Sequence, residues 1–240
     1  MVPAAQQSSF RKIGVVTGLA SEAVVANALL GNSEAPVAIA CAGASTDRAA
    51  ARARQLVENG VEALLSFGIA GALSPDPACG DLVIADSVRG ADGSTYRCDS
   101  AWCRTLGAEL DSNVLPHRVG ALLASPRTLL HAADKQKAYL ESGCLAVDME
   151  SGAVAAVAAE AALPFLAVRA IADTARDDLP ALVENAVRPD GMPAIGRAVA
   201  GLIRRPWELR AVLRLARQSE LALARLRMLE SVKSALFGGF

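Results

Sequence analysis

Asp173 closes the run Val168-Arg169-Ala170-Ile171-Ala172-Asp173. An aspartate behind an apolar run either caps the next element or, where low-dielectric surroundings lift its pKa toward neutrality, acts as a general acid. The segment Val147-Asp148-Met149-Glu150-Ser151-Gly152-Ala153 sets two carboxylates and a methionine where an apolar run meets an alanine-rich stretch. Acids in a first helical turn stabilise its positive end by ~0.3–1 kcal/mol, so capping is the plain reading of Asp148 and Glu150. The chemical reading is a carboxylate that accepts two hydrogen bonds from adjacent hydroxyls, as in a sugar diol. In Thr17-Gly18-Leu19-Ala20-Ser21-Glu22, Ser21 is a candidate N-cap, and Glu22 is either a first-turn acid or a base reaching back into a cleft. In Phe67-Gly68-Ile69-Ala70-Gly71-Ala72 two glycines let the backbone approach a ligand and present free N–H groups. This is not the GxGxxG pattern of dinucleotide sites, and no cofactor is expected.

The elements that must position these residues are short apolar runs separated by longer amphipathic stretches. The runs are 13–16, 37–40, 63–67, 82–85, 119–124, 145–147 and 165–168; they are apolar throughout, as strands buried on both faces are. Helices are expected over 46–59, stopping before Gly60, and over 151–162, stopping before Pro164; Ser125 is expected to cap another, running to about Glu141 with Pro126 in its first position. Strand–helix alternation predicts an α/β fold with helices on both faces of a sheet. Ligands of such sheets gather beyond the carboxyl ends of strands. That rule selects Thr17 to Glu22, Gly43 to Ser45, Gly68 to Gly71, Ser125, Asp148 to Glu150, and Asp173. Residues 177–193 read as a loop or short helix, and the tail 238–240 is expected to fray.

Composition limits the function. Hydrophobic residues make up 52% of the 240, charged residues 20% and aromatics 4%, which describes a folded domain with an aliphatic core. The net charge of −1 gives no global attraction for nucleic acid. The five cysteines, Cys41, Cys79, Cys98, Cys103 and Cys144, have no CxxC spacing, and His117 and His131 stand alone; no metal site is expected, and reduced thiols fit a cytosolic protein. Met1 to Arg11 lacks the apolar core of a signal peptide, and no spanning helix is expected.

Taken in order, these pieces resemble the nucleoside phosphorylase and nucleosidase superfamily over about Lys12 to Ala175. The match comprises the strand and glutamate loop 13–22, the turn Ala42-Gly43-Ala44-Ser45, the Gly-x-Ala-Gly turn 68–71, the Gly-Asp strand entry at Gly80-Asp81, Met149-Glu150, and Arg-x-Ile-x-Asp at 169–173. The resemblance implies a three-layer α/β/α fold around a mixed, largely parallel sheet. It implies cleavage of the N-glycosidic bond of an adenine nucleoside, with Asp173 protonating the purine at N7 and Glu22 activating water. Glu150 would hold the ribose diol and Met149 would pack under the sugar. The rest of the substrate site would come from Asp148, Gly68, Ala70, Gly71, Ser125, Leu129 and Leu130. Phosphate, if used, would meet Thr17, Gly18 and Arg48, with Arg127 a further candidate. Two departures stand out: Ala172 where many relatives have Ser or Cys before the acid, and Leu129 where adenine-specific nucleosidases often place an aromatic ring.

After a catalytic unit at 1–203, residues 204–240 form an extension with eight Lys/Arg against three Glu. Leu209, Val212, Leu213, Ala216, Leu223 and Leu226 fall on one helical stripe. Arg204-Arg205-Pro206-Trp207 and the arginine- and leucine-rich helix after it resemble the hopanoid-associated branch, which implies removal of adenine from adenosylhopane. Methylthioadenosine, adenosylhomocysteine or futalosine as substrate, and a nucleoside-binding protein on an inactive scaffold, are the alternatives. The basic helix with its Trp is expected either to rest on the inner face of the cytoplasmic membrane or to pack on the core or on a second subunit of a homodimer.

Overall fold

The computed structural model describes residues 10–30, 37–90 and 92–238. Most of the expected signal-free N-terminus, and Gly239 and Phe240 of the expected frayed tail, lie outside the described residues.

Eight strands form one sheet: β1 (Ile13–Thr17), β2 (Val37–Cys41), β3 (Ala63–Ala72), β4 (Leu82–Gly90), β5 (Thr95–Arg97), β6 (His117–Ala124), β7 (Ala146–Asp148) and β8 (Phe165–Asp173). The order is β2-β1-β3-β7-β6-β4-β5, and β8 pairs with both β3 and β4. Strands β3, β7, β6, β4 and β8 therefore make a closed circuit with two antiparallel pairings, β3–β7 and β4–β8, and the edge strand β5 adds a third on β4. Closure requires long strands that bend. β3 and β4 run well past their apolar starts, with register shifts at Ala70/Gly71 and between Ala85 and Val88. Apolar content alone marks where a strand is buried and not where it ends, so the sequence shows only the first halves of these two strands, and β5 is missed because its residues alternate with solvent.

The helices are α1 (Ala20–Leu30), α2 (Thr46–Glu58), α3 (Ser100–Ser112), α4 (Ala132–Ser142), α5 (Ser151–Glu160), α6 (Ile195–Arg204), α7 (Leu209–Arg227) and α8 (Lys233–Leu236). They flank the sheet as expected of an α/β fold, α2 packing against α5 and α1 against α7. Two expected helix starts are displaced. Ser125 does not cap α4: its hydroxyl bonds to the backbone of Arg127 in a tight turn, and the helix begins only at Ala132. Ser21 lies inside α1, whose entry is capped instead by Glu22, through the N–H groups of Gly18 and Leu19.

The inward face of α7 also differs from the expected stripe. Leu209 and Leu213 are exposed, while Val212, Leu215 and Ser219 turn inward, and Ala222, Leu223 and Leu226 are buried in the same core as the sheet. Leu229, Val232, Leu236 and Phe237 join that core, and the indole N–H of Trp102 donates to the carbonyls of Ala235 and Leu236. Residues 177–193 contain a 3₁₀ turn (Ala181–Asn185) and a bridge between Val187 and Pro193. The segment is tied to the start of α1 by a hydrogen bond from Ala20 N to the Gly191 carbonyl, 3.0 Å.

Candidate active site

Where β1, β3, β7 and β8 end, the chain leaves a cavity of about 460 Å³. Gly18, Glu22, Arg48, Ala70, Gly71, Leu129, Asp148, Met149, Glu150 and Asp173 all line it. The carboxylates at 150 and 173, which the sequence can place only at separate strand ends, thus share one space. Four expected residues do not line it. Thr17 is fully buried with its hydroxyl donating to the Leu19 carbonyl. Ser125 faces a second hollow with Arg89 and Ser142. Leu130 uses its carbonyl to hold Leu179 N at 2.8 Å. Gly68 makes room for a protein group: a Cβ there would stand 2.5 Å from the Glu22 carboxyl carbon.

Asp148 and Glu150 divide the two roles that the sequence left open between them. Asp148 is the capping and structural acid. It accepts from Ser151 N at 3.1 Å and from Arg169 Nε at 2.6 Å, with the Ser151 hydroxyl on the same carboxylate. Arg169 is 2% exposed and also donates to the hydroxyls of Ser66 and Ser151, at 2.6 and 2.8 Å, so it joins β3, β7, β8 and α5. Glu150 makes no such commitment: among the described residues no side chain donates to its carboxylate, and the backbone N–H of Met149 is its one protein donor. A Cβ on Gly18 would lie 2.7 Å from Glu150 Oε1, so glycine there leaves the carboxylate its present position. Burial first, then the charges of Asp148 and Glu22, push the Glu150 pKa up to about 8.

Glu22 is fixed by three backbone donors, Gly18 N and Leu19 N on Oε2 and Ile69 N on Oε1, each at 2.8 Å. Burial raises its pKa against these bonds and the Arg169 charge. Asp173 is also pushed up by burial, opposed by the charge and hydrogen bond of Lys135. Lys135, on α4 and 1% exposed, is the residue that sequence reasoning missed. Its neighbours in the chain are exposed and polar, so only an unusual lone lysine on an inward face signals it. Arg48 is spent: Nε and one terminal nitrogen donate to the carbonyls of Ala42 and Gly43, both at 2.6 Å, and hold the glycine turn rather than reaching a ligand. Apolar side chains of Leu179, Val183, Val187 and Leu215 form another wall of the cavity. Thr46 and Thr128 fix Met149, the first by a hydrogen bond to its carbonyl and the second by a contact with its sulfur. His117 sits against the Leu115 carbonyl and His131 is exposed, both outside the cavity.

The Glu150 environment sets a pH dependence. A carboxyl with a pKa of about 8 is mostly protonated in the empty cavity at neutral pH, whereas a diol acceptor must be ionised to take both hydroxyl protons. Binding of a ribosyl ligand is therefore expected to release close to one proton at pH 7 and to tighten as pH rises, levelling off above about pH 8. Calorimetry with a non-hydrolysable adenosine analogue, in buffers of different ionisation enthalpy, measures that proton. Affinity flat between pH 6 and 9, or a dependence that survives in Glu150→Gln, would refute it.

The fold agrees with solved structures. A Helicobacter pylori 5′-methylthioadenosine/S-adenosylhomocysteine nucleosidase, solved in complex with a pyrrolidinol compound, superposes with a TM-score of 0.73 at 15% identity, covering 95% of this chain and 98% of its own. A futalosine hydrolase from Helicobacter pylori matches with a TM-score of 0.73 at 15% identity, over 94% and 97% of the two chains. An S-adenosylhomocysteine nucleosidase from Streptococcus pyogenes matches with 0.70 at 20%, over 97% and 98%. At these identities the likeness is one of fold. A sequence search of curated proteins finds no match. The sequence model of the Phosphorylase superfamily matches residues 19–204, more than three quarters of the chain, and with the strand-end carboxylates in place the chain belongs to that superfamily.

Proposed function

We propose that this protein cleaves the N-glycosidic bond of an adenine nucleoside and releases adenine. The observation that carries the reading is the convergence of Asp173, Glu150 and Glu22 on one cavity of nucleoside size. Adenine leaves readily only if it is protonated. Asp173, buried and raised in pKa, donates a proton to N7, a step worth ~10²–10⁴-fold. The sugar then passes through an oxocarbenium-like state, and the Glu150 carboxylate on its hydroxyls offsets that positive charge. Glu22 takes the proton of the water that attacks the anomeric carbon.

Water is favoured over phosphate as the nucleophile. Four buried acids, Glu22, Asp148, Glu150 and Asp173, surround the cavity, and the buried cations Arg169 and Lys135 are already paired with Asp148 and Asp173. Arg48 is occupied by backbone carbonyls. Among the described residues Arg127, exposed on the cavity wall, is the one cation there whose side chain bonds no protein group, so a phosphate would rest on it alone.

The finer proposal is a hydrophobic 5′-substituent, most specifically adenosylhopane converted to ribosylhopane, running along Leu179, Val183, Val187 and Leu215. Methylthioadenosine, adenosylhomocysteine and futalosine, named by the structural neighbours, are the second reading. With residues 1–203 carrying the catalytic carboxylates and 204–240 a basic segment that adds Leu215 and Ser219 to the cavity wall, we place the protein in the cytoplasm as a homodimer whose surface touches the membrane. The contact face begins earlier than the extension. Ile195, Val199, Ile203 and Trp207 are 70%, 52%, 76% and 74% exposed. Arg197, Arg204 and Arg205 flank them, and no acid occurs from 191 to 207. Such a face suits an anionic lipid surface. Among the described residues no helix is long and apolar enough to cross a membrane.

The test is adenine release from adenosylhopane, methylthioadenosine, adenosylhomocysteine and futalosine, each with and without phosphate. Release from none of them refutes the function, and strict phosphate dependence refutes the hydrolytic step. Turnover of methylthioadenosine with none of adenosylhopane selects the second reading. Pelleting with phosphatidylglycerol vesicles is expected to fall at least severalfold in Val199→Glu/Ile203→Glu. Unchanged pelleting refutes the lipid contact, and a drop in oligomeric mass assigns the face to a second copy.

A further inference from the structure

We propose that Lys135 is a positioning residue for Asp173: its ammonium anchors Oδ2 of the carboxyl and stabilises the carboxylate left when the proton departs from the other oxygen. The inference rests on the adenine-releasing reading above and names a group that neither the motifs nor the family match assigns.

The geometry is a closed tripod. Lys135 Nζ has three N–H donors and meets three acceptors: Asp173 Oδ2, the Thr174 carbonyl at 3.0 Å and the Asp177 carbonyl at 2.9 Å. The lysine is 1% exposed, so the turn 173–177 wraps the ammonium completely. Among the described residues no donor bonds Asp173 Oδ1, which leaves that oxygen to carry the transferable proton. Gly71 keeps the space beside the pair open, since a Cβ there would stand 2.9 Å from Oδ2.

The other charged or titratable groups facing Asp173 are the Asp177 carboxylate and the Cys79 thiol, and both are committed. Asp177 accepts from Thr174 N and Oγ1 and from Gln218 Nε2, with Arg214 beside it. The Cys79 thiol contacts the carbonyls of Ala172 and Gln218, and burial and nearby carboxylates raise its pKa. Lys135 is thus the one cation bonded to the acid among the described residues.

In the step itself the Asp173 O–H bond breaks, its electron pair stays on the carboxylate, and N7–H forms. The C1′–N9 bonding pair moves to the base, and water adds to C1′ as its proton passes to Glu22. Lys135 gives up no proton. It converts a buried acid too weak to donate into one that leaves an ion pair behind.

The experiment compares wild type with Lys135→Met, which removes charge and bond, Lys135→Gln, which keeps a donor without charge, and Lys135→Arg. Expected for Met and Gln are a kcat lower by about 10–100-fold, a KM within about twofold, and an alkaline limb of kcat moved up by about one pH unit or more. Arg is expected to restore the limb. A merely structural lysine would lower thermal stability and leave the limb in place, which overturns the proposal. A second readout needs no turnover: the ¹³C carboxyl titration of Asp173 in the ligand-free protein, assigned with Asp173→Asn, is expected to move upward in Lys135→Gln. An unmoved midpoint overturns the role of Lys135 and leaves the reaction intact. A moved midpoint in a protein that releases no base from any nucleoside overturns the reaction and keeps the pairing.

Discussion

Asp173→Asn is expected to lower adenine release by about 10²–10⁴-fold while leaving nucleoside binding within a few-fold of wild type. Asn fills the same volume and can still accept from Lys135, but it has no proton to deliver. The loss therefore falls on kcat and not on KM, the pattern of a group that acts only in the transition state. The same change leaves the buried Lys135 ammonium without its counter-ion, so thermal unfolding must be recorded alongside the kinetics. A folded Asn variant that releases adenine at the wild-type rate would remove Asp173 from the chemistry. A nucleoside analogue that binds wild type and variant equally well would show that the pocket survived.

The second large effect concerns stability. Arg169→Met is expected to destabilise the protein by about 3–5 kcal/mol, because it strands the buried Asp148 carboxylate. That is a large share of the 5–15 kcal/mol typical of a whole domain. The guanidinium donates to Asp148, Ser66, Ser151 and the Val168 carbonyl, so four bonds across three strands and a helix are lost together. Replacing both partners, Arg169→Met with Asp148→Leu, is expected to recover part of the loss, since no charge is then left buried. Urea denaturation of the two single variants and the double variant measures this coupling. A single-variant cost below about 1 kcal/mol, or strict additivity in the cycle, would show that the network does not act as a unit. Activity in Arg169→Met is expected to fall as well, because Glu150 lies two residues beyond Asp148 and depends on the same strand end.

Much of the architecture was legible in the chain. The apolar runs before Thr17, Gly68, Asp148 and Asp173 all became strands, and the rule that ligands collect past strand ends selected about half of the residues that line the cavity, its four acids among them. Local patterns mislead at Ser125, at Ser21 and along the α7 stripe, of which Val212 does turn inward while Leu209, Leu213 and Ala216 are exposed. Ser125 closed a turn on Arg127, Glu22 took the cap from Ser21, and the inner face of α7 rotated to Leu215 and Ser219 because β8 and the cavity lie there.

Local chemistry by itself determined which segments are buried strands, where the carboxylates sit along them, and that any site must lie at their ends, because burial and backbone propensity are encoded within a few residues. Tertiary structure alone decided which carboxylate is free and which is spent. Asp148 is neutralised by Arg169, 21 residues away, and Asp173 is held by Lys135, 38 residues away. Ionic hydrogen bonds act over about 3 Å of space whatever the separation along the chain, so no spacing rule could distinguish Glu150, left open to the cavity, from its neighbour two positions earlier.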